Sequence, residues 1–220
     1  MNFLFSSLGK KFQIAFSGII LCLFLLMHLI NNMALFVGPE TFNAMVGFLE
    51  SIKPFIRLME LGLLLVLLIH IINAIQLTIS NKTASSGNYL GKNHNSTSTV
   101  NSRTMIISGT VILVFFIIHL RYLWYSYQAH LFYNGETYYD VVMRNQLGYL
   151  GHTPTAAFYI VAIFLIAFHL KHGFQSALKT FGILESSKWS IIYKLSFVFW
   201  GIIPGLFIVI VLAIQIGFIK

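Results

Sequence analysis

Long apolar stretches separated by shorter polar segments dominate the pattern of this chain. A transmembrane helix needs about 20 predominantly apolar residues. Five stretches meet that length and predict helices over residues 12–37, 57–79, 104–124, 154–180 and 195–219. The segment 38–56 and the polar stretch 81–103 predict loops, and the tyrosine-rich segment 125–153 is expected along the membrane interface. We therefore predict an all-α membrane protein in which residues 1–220 form one transmembrane domain.

Composition agrees with this prediction, because 57% of the residues are hydrophobic and only 9% are charged. Soluble domains are about one quarter charged. The net charge of +8 indicates membrane topology rather than a nucleic-acid surface. Nine Lys and Arg residues lie near the N-terminus and in the second and fourth connections, against five on the other side, which also carries five of the six acids. The positive-inside rule then predicts a cytoplasmic N-terminus and an external C-terminus.

Each of the first four predicted helices has a histidine as its main polar interruption: His28, His70, His119 and His169. A polar side chain deep in a bilayer is costly, so by default it indicates a functional site. The alternative is that each histidine only forms a hydrogen bond with a neighbouring helix, a contact of modest value.

The depths of the four histidines fall into two groups. At about 1.5 Å of rise per residue, those of the first and third helices lie about 26 and 24 Å beyond Lys11 and Arg103. Those of the second and fourth helices lie about 15 Å before Ser80 and Lys179. If these flanking residues share one side of the membrane, the histidines form two pairs at two levels. Two facing imidazoles can ligate one haem iron, so the pattern predicts two stacked haems.

An internal repeat relates the two halves of the chain. The first and third helices carry Ser-Gly, then nine residues and then their histidine, with the dipeptides at Ser17-Gly18 and Ser108-Gly109. His70 and His169 are each followed by a small residue at +4 and a glutamine at +6. Such repeats often bind a cofactor at their interface, although apolar segments also resemble each other by chance. The two glycines would make room for the haem nearer the N-terminus, or serve plain helix packing.

Together these motifs resemble the cytochrome b subunit of succinate dehydrogenase/fumarate reductase, of the single-chain, five-helix, di-haem type. The resemblance rests on both Ser-Gly-x9-His motifs, on His70 and on His-x-x-His-Gly at 169–173, and it extends to Arg103-Thr104-Met105 and to residues 139–142. It implies that the first four helices form a haem-binding bundle. It also implies a membrane anchor without catalytic residues, which serves the enzyme by passing electrons between an iron–sulfur subunit and membrane quinone.

The same resemblance implies the cofactors and partners. His70 and His169 would ligate the inner haem b, and His28 and His119 the outer one. The quinone is expected to be menaquinone. A flavoprotein subunit with FAD and an iron–sulfur subunit would dock on the cytoplasmic face of a bacterial inner membrane. No Cys-x-x-Cys-His motif occurs, so the haems would be held without a covalent bond.

Further candidates are polar residues near the helix ends. Haem propionates need cations or donors, and the candidates are Lys179, Arg103 and His172 for the inner haem and Arg121 and Arg144 for the outer one. For the quinone they are Asn31, Asn32 and Glu50. Snorkelling to headgroups, or an interfacial position, is the competing interpretation of these residues. The fourth helix lacks a carboxylate, which leaves a proton path through it in doubt.

Two other functions remain open on the sequence. The chain could be the cytochrome b subunit of another quinone-linked dehydrogenase or of a hydrogenase. It could also be a transporter that uses its histidines as proton relays. A transporter would give no visible absorption, whereas both cytochromes predict a red membrane extract.

Overall fold

Almost all of the described chain is helical. The computed structural model describes residues 3–86, 100–183 and 189–220, and no β-strand occurs in these ranges. Five helices are long and apolar enough to cross a membrane: Ser7–Val37, Lys53–Asn81, Thr104–Gln128, Thr153–Thr180 and Ile191–Gln215. The prediction of an all-α chain with five possible spans is therefore confirmed.

The helices follow one another with short connections. In chain order they are α1 (Ser7–Val37), α2 (Pro39–Ser51), α3 (Lys53–Ser86), α4 (Val100–His119), α5 (Tyr125–Gln128), α6 (Tyr138–Met143), α7 (Thr153–Thr180), α8 (Trp189–Phe197) and α9 (Ile203–Gln215). The π-helical turns Leu120–Trp124 and Val198–Ile202 join α4 to α5 and α8 to α9, and each joined pair forms one span. α3 and α4 extend into the predicted loop 81–103, of which residues 87–99 lie outside the described residues.

The predicted loop over residues 38–56 is wrong, because most of it forms α2 and the first turn of α3. Gly38 ends α1 with a φ of 126°, a conformation that favours glycine. Pro39 then begins α2 at the first helical position, where its missing N–H is not needed. Phe42 and Val46, four residues apart on α2, are buried against the bundle. This helix is short and amphipathic, and a search for long apolar stretches misses it.

α1 and α7 form the centre of the bundle. α1 packs against α3, α7 and α9, and α7 also packs against α4 and α9. The buried share of the apolar window is 22% in α1, 28% in α7 and 33% in the last span, but zero in α3. α3 is therefore a peripheral helix that exposes apolar side chains over most of its length.

Side-chain contacts between spans define the two ends of the bundle. At one end, the rings of Phe12 in α1 and Phe181 after α7 meet edge to face at 5.3 Å. At the other end, the carboxylate of Glu60 accepts hydrogen bonds from Arg57 at 2.7 Å and from Trp124 Nε1 at 2.8 Å. We call the first end the N-terminal face and the second the opposite face.

The segment between α5 and α7, residues 129–152, folds into a cap on the opposite face. Arg144 is only 8% exposed and donates to Glu136 Oε1 at 3.1 Å, to the Tyr149 hydroxyl at 3.0 Å and to the Leu131 carbonyl at 2.6 Å. It also forms an ion pair with Glu136 Oε2. The hydrogen bond from Arg144 lowers the pKa of Glu136 below its usual value. Arg144 is thus the centre of the cap.

Helix α6 ties this cap to two other parts of the chain. The backbone N–H of Tyr139 donates to Asn43 Oδ1 in α2 at 3.0 Å. The Tyr139 hydroxyl donates to the carbonyl of Lys220, after α9, at 2.9 Å. The cap therefore links α2 with the C-terminal end of the last span.

Glu136→Gln tests the cap, because it removes the charge that faces Arg144 and keeps the side-chain shape. The lowered pKa of Glu136 means that its contribution to stability is present above its unfolded pKa, about 4.3, and is lost as the pH falls through the folded pKa. We expect a lower thermal unfolding midpoint in detergent at pH 7 and a smaller difference from wild type at acid pH. Glu40→Gln is the control, since Glu40 is exposed. An equal decrease of the unfolding midpoint in both variants would contradict the stabilising role of the Glu136–Arg144 ion pair.

Candidate functional site

The histidines of α1 and α4 lie in direct contact. The ring centroids of His28 and His119 are 5.7 Å apart and the ring planes are nearly perpendicular, at 86°. Both residues come from the halves of their helices that lie nearer the opposite face. We call them the distal pair.

The histidine of α3 lies against the Ser-Gly dipeptide of α1. Ser17 Oγ is 3.0 Å from His70 Nδ1. A Cβ atom on Gly18 would lie 3.5 Å from His70 Cε1, so the imidazole packs against the bare backbone of α1. Ser17 itself is 3% exposed, which keeps this contact inside the protein.

The histidine of α7 repeats this arrangement on α4. Ser108 Oγ is 3.2 Å from His169 Nδ1, and a Cβ atom on Gly109 would lie 3.6 Å from His169 Cε1. Ser108 is also buried, at 7% exposure. The two Ser-Gly dipeptides found in the sequence therefore hold equivalent positions, each against the histidine of the following span.

These contacts place His70 and His169 at one level, which we call the proximal pair. Gly18 precedes His28 by ten residues and Gly109 precedes His119 by ten, or about 15 Å along a helix. The two histidines held at the glycines therefore both lie about 15 Å from the distal pair, toward the N-terminal face. The structure thus contains the two levels that the depths in the sequence predict.

Aromatic side chains surround the distal pair. Phe24 stacks on His28 at 5.6 Å, and Phe207 of α9 lies 5.7 Å from the same ring. Phe115 lies 5.7 Å from His119. Such packing makes the surroundings of both imidazoles largely apolar.

Tyr159 is a member of this site that the sequence analysis did not identify. Its hydroxyl lies 3.4 Å from His119 Nδ1, and the residue is 3% exposed. A signal was available, since Tyr159 precedes His169 by ten residues. That spacing places it at the distal level, about 15 Å along α7.

The proposed quinone residues differ in their surroundings. Asn32 Nδ2 donates to the backbone carbonyl of His28 at 2.8 Å and lies 3.4 Å from His28 Nε2. Glu50 forms an ion pair with Lys53 at 2.8 Å in the region between α2 and α3. Asn31 is half-buried and has no hydrogen-bonding side chain as a partner among the described residues. Of the three, the structure brings only Asn32 to a histidine.

Among the proposed propionate residues whose side chains the structure describes, none forms a hydrogen bond with one of the four imidazoles. Lys179 and Arg121 are exposed, and the Arg121 guanidinium lies over the rings of Tyr122 and Tyr125 at 5.7 and 5.0 Å. The hydrogen bonds of Arg144 are used within the cap. His172 is half-buried one turn beyond His169, and the side chain of Arg103 lies outside the described residues.

The donor set fits a haem iron better than a bare metal ion. No group of three or more His, Cys, Asp or Glu residues in the described ranges is arranged to hold a metal ion. A haem iron takes only two axial ligands from the protein. The two imidazoles of the distal pair, with centroids 5.7 Å apart, would be the ligands of one such iron. Gly18 and Gly109 leave space for the rings of His70 and His169, because neither glycine has a side chain.

No protein-family model, curated protein or solved structure matches this chain. The function is therefore inferred from the residues themselves: two levels of histidines, one repeated serine contact and apolar surroundings.

Gly18→Leu tests the close approach at the proximal level. Alanine fits, because its Cβ would make an ordinary contact at 3.5 Å, but the larger side chain of leucine would displace the His70 imidazole. Overpacking of this kind costs about 1–3 kcal/mol, and we expect a lower thermal unfolding midpoint in detergent. Gly62→Leu in α3 is the matched control, since nothing lies within 4 Å of the added Cβ. Equal effects of the two leucines would show that the approach to His70 does not matter.

Proposed function

We propose that this chain is a di-haem cytochrome b and the membrane anchor of a succinate:quinone oxidoreductase, that is, a succinate dehydrogenase or fumarate reductase. The observation that carries the haem assignment is the pairing of histidines from separate spans at two levels. One pair is in contact at 5.7 Å, and the other is held by two equivalent serines. The assignment to this enzyme rests on the resemblance of the sequence motifs.

The chain's own residues would hold two haem b groups. His28 and His119 would be the axial ligands at the distal level, and His70 and His169 at the proximal level. Bound there, haem supplies one-electron transfer within the membrane. The chain contributes the orientation of each imidazole and, through Phe24, Phe115 and Phe207, the exclusion of water.

Charge supports a partner at the N-terminal face. Lys10, Lys11, Lys179 and Lys194 lie near the ends of α1, α7 and α8 at this face. We propose that this face is cytoplasmic and binds an iron–sulfur subunit, which in turn binds a flavoprotein subunit with FAD. The positive charge would attract an acidic partner surface. The membrane would be the bacterial inner membrane, with the C-terminus outside.

A membrane quinone, with menaquinone the expected species, would react near the distal level. Asn32 supports this position because its amide lies beside His28 and near the aromatic surround. A quinone site needs an apolar slot with a few polar groups directed at the carbonyl oxygens. We therefore favour Asn32 among the three quinone candidates.

Haem content and partner identity test the proposal together. We expect two non-covalent haem b groups per chain when haem is extracted from pure protein and quantified. Purification from native membranes should also retain an iron–sulfur protein and a flavoprotein. Haem with a different partner would indicate the cytochrome b of another dehydrogenase or of a hydrogenase. A colourless protein would contradict the assignment as a cytochrome and would favour the alternative function as a transporter.

The pairing of the histidines is tested by four single variants: His28→Leu, His70→Leu, His119→Leu and His169→Leu. Leucine has similar bulk but no nitrogen for the iron, so each variant should lose or convert one haem only. His70→Leu and His169→Leu should give the same spectrum and redox titration, in which the distal haem survives. His28→Leu and His119→Leu should resemble each other and spare the proximal haem. A match between His70→Leu and His28→Leu would disprove this pairing.

A further inference from the structure

Each histidine of the proximal pair touches a serine hydroxyl that already has a second partner. Ser17 Oγ donates to the carbonyl of Gln13, one turn earlier in α1, at 2.6 Å. Ser108 Oγ donates to the carbonyl of Met105 at 3.1 Å. A carbonyl oxygen only accepts hydrogen bonds, and a serine hydroxyl has one proton to give. The carbonyl is the nearer acceptor of each hydroxyl, at 2.6 Å against 3.0 Å to the imidazole for Ser17 and at 3.1 Å against 3.2 Å for Ser108. Each proton is assigned to the backbone on that basis.

With this assignment, the hydrogen bond between serine and histidine runs from the imidazole to the hydroxyl. With its proton given to the carbonyl, Ser17 Oγ only accepts, so His70 Nδ1, at 3.0 Å, carries the hydrogen and donates it. The same holds for Ser108 and His169 Nδ1 at 3.2 Å. A neutral imidazole has one N–H and one free lone pair. The lone pair of each ring is thereby assigned to Nε2, which has no hydrogen-bonding side-chain partner among the described residues.

We propose that Ser17 and Ser108 are paired positioning residues, which hold His70 and His169 in the Nδ1–H tautomer and present Nε2 to a metal centre. The inference rests on the proposed function for the identity of that centre, which is the proximal haem. The neighbouring glycines complete the arrangement, because they let each imidazole approach the helix backbone closely enough for the hydroxyl contact. The Ser-Gly dipeptide is thus a unit: the serine orients the ring and the glycine makes space for it.

The distal pair has no serine contact in the part of the chain that the structure describes. His119 Nδ1 is 3.4 Å from the Tyr159 hydroxyl, and His28 Nδ1 is 3.5 Å from the Asn32 amide nitrogen. Both distances are longer than those to the serines, and an amide N–H does not accept a hydrogen from the ring. An acceptor at Nδ1–H makes an imidazole a more basic ligand. Serine substitutions should therefore affect the proximal haem alone.

Ser17→Ala and Ser108→Ala are the test variants, studied in the full-length protein. Each should raise the midpoint potential of the proximal haem, since a less basic ligand stabilises the oxidised iron less. Each should also weaken retention of that haem by about 10- to 100-fold, the usual effect of removing such a supporting hydrogen bond. The potential and spectrum of the distal haem should not change. Ser17→Thr, which keeps the hydroxyl, should restore the wild-type potential.

Thr110→Ala is the matched control on α4. Thr110 lies two residues after Ser108 and makes the same kind of backbone bond, to the Ile106 carbonyl at 2.9 Å, but it is exposed and touches no histidine. A comparable shift in Thr110→Ala would overturn the inference, because the effect would then come from the helix and not from the imidazole. So would unchanged proximal potentials in Ser17→Ala and Ser108→Ala that retain both haems.

A measurement that does not depend on haem separates this inference from the proposed function. Protein labelled with ¹⁵N in histidine and solubilised in detergent, with any haem reduced to its diamagnetic state, reports the tautomer of each ring by NMR. His70 and His169 should carry their proton on Nδ1, and Ser17→Ala should alter the signal of His70 but not that of His169. A colourless protein with these tautomers would refute the proposed cytochrome function but would support the proposed role of the two serines. Protons on Nε2 of both rings would refute the serine contact.

Discussion

A polar group in the interior of a membrane must find its partners within the protein, because lipid offers none. The four histidines of the apolar spans are subject to this constraint. The packing of the first four spans gives each imidazole a partner within the protein. Two imidazoles receive a serine hydroxyl and a bare glycine surface from a neighbouring span. The other two pack on each other within a shell of aromatic rings. The register between α1 and α3, and between α4 and α7, is the one that makes these contacts possible.

The same demand applies at the opposite face, where charged residues approach the membrane boundary. Glu60 is paired with Arg57 and Trp124, which connects the start of α3 to the end of the third span. Glu136 and Arg144 pair inside the cap. Charged groups there are joined into local networks, whereas the centre of the bundle relies on uncharged hydrogen bonds and on close packing.

Sequence reasoning succeeded where a long-range pattern exists. Five apolar stretches predict the spans, and the Ser-Gly repeat marks two equivalent positions, because a shared spacing along two helices becomes a shared level in space. That these dipeptides contact His70 and His169 was not predicted; only the structure shows it. It failed for α2, whose short amphipathic pattern stands among Gly and Pro residues that indicate a loop. It also missed the hydroxyl of Tyr159, since the ten-residue spacing to His169 gives the level of this tyrosine in the bundle but not the ring that it faces. The commitment of Arg144 to the cap depends on tertiary contacts that no local pattern contains.

The division of the histidines between the two halves of the chain bears on how the protein assembles. The hairpin of α1 and α3 carries one imidazole of each level, and the hairpin of α4 and α7 carries the other two. Either hairpin could insert and form its own serine–histidine contact independently, as helices do in two-stage membrane folding. Neither could complete a pair alone. Any group that bridges a pair therefore joins the two hairpins, and its binding free energy adds directly to the stability of their association.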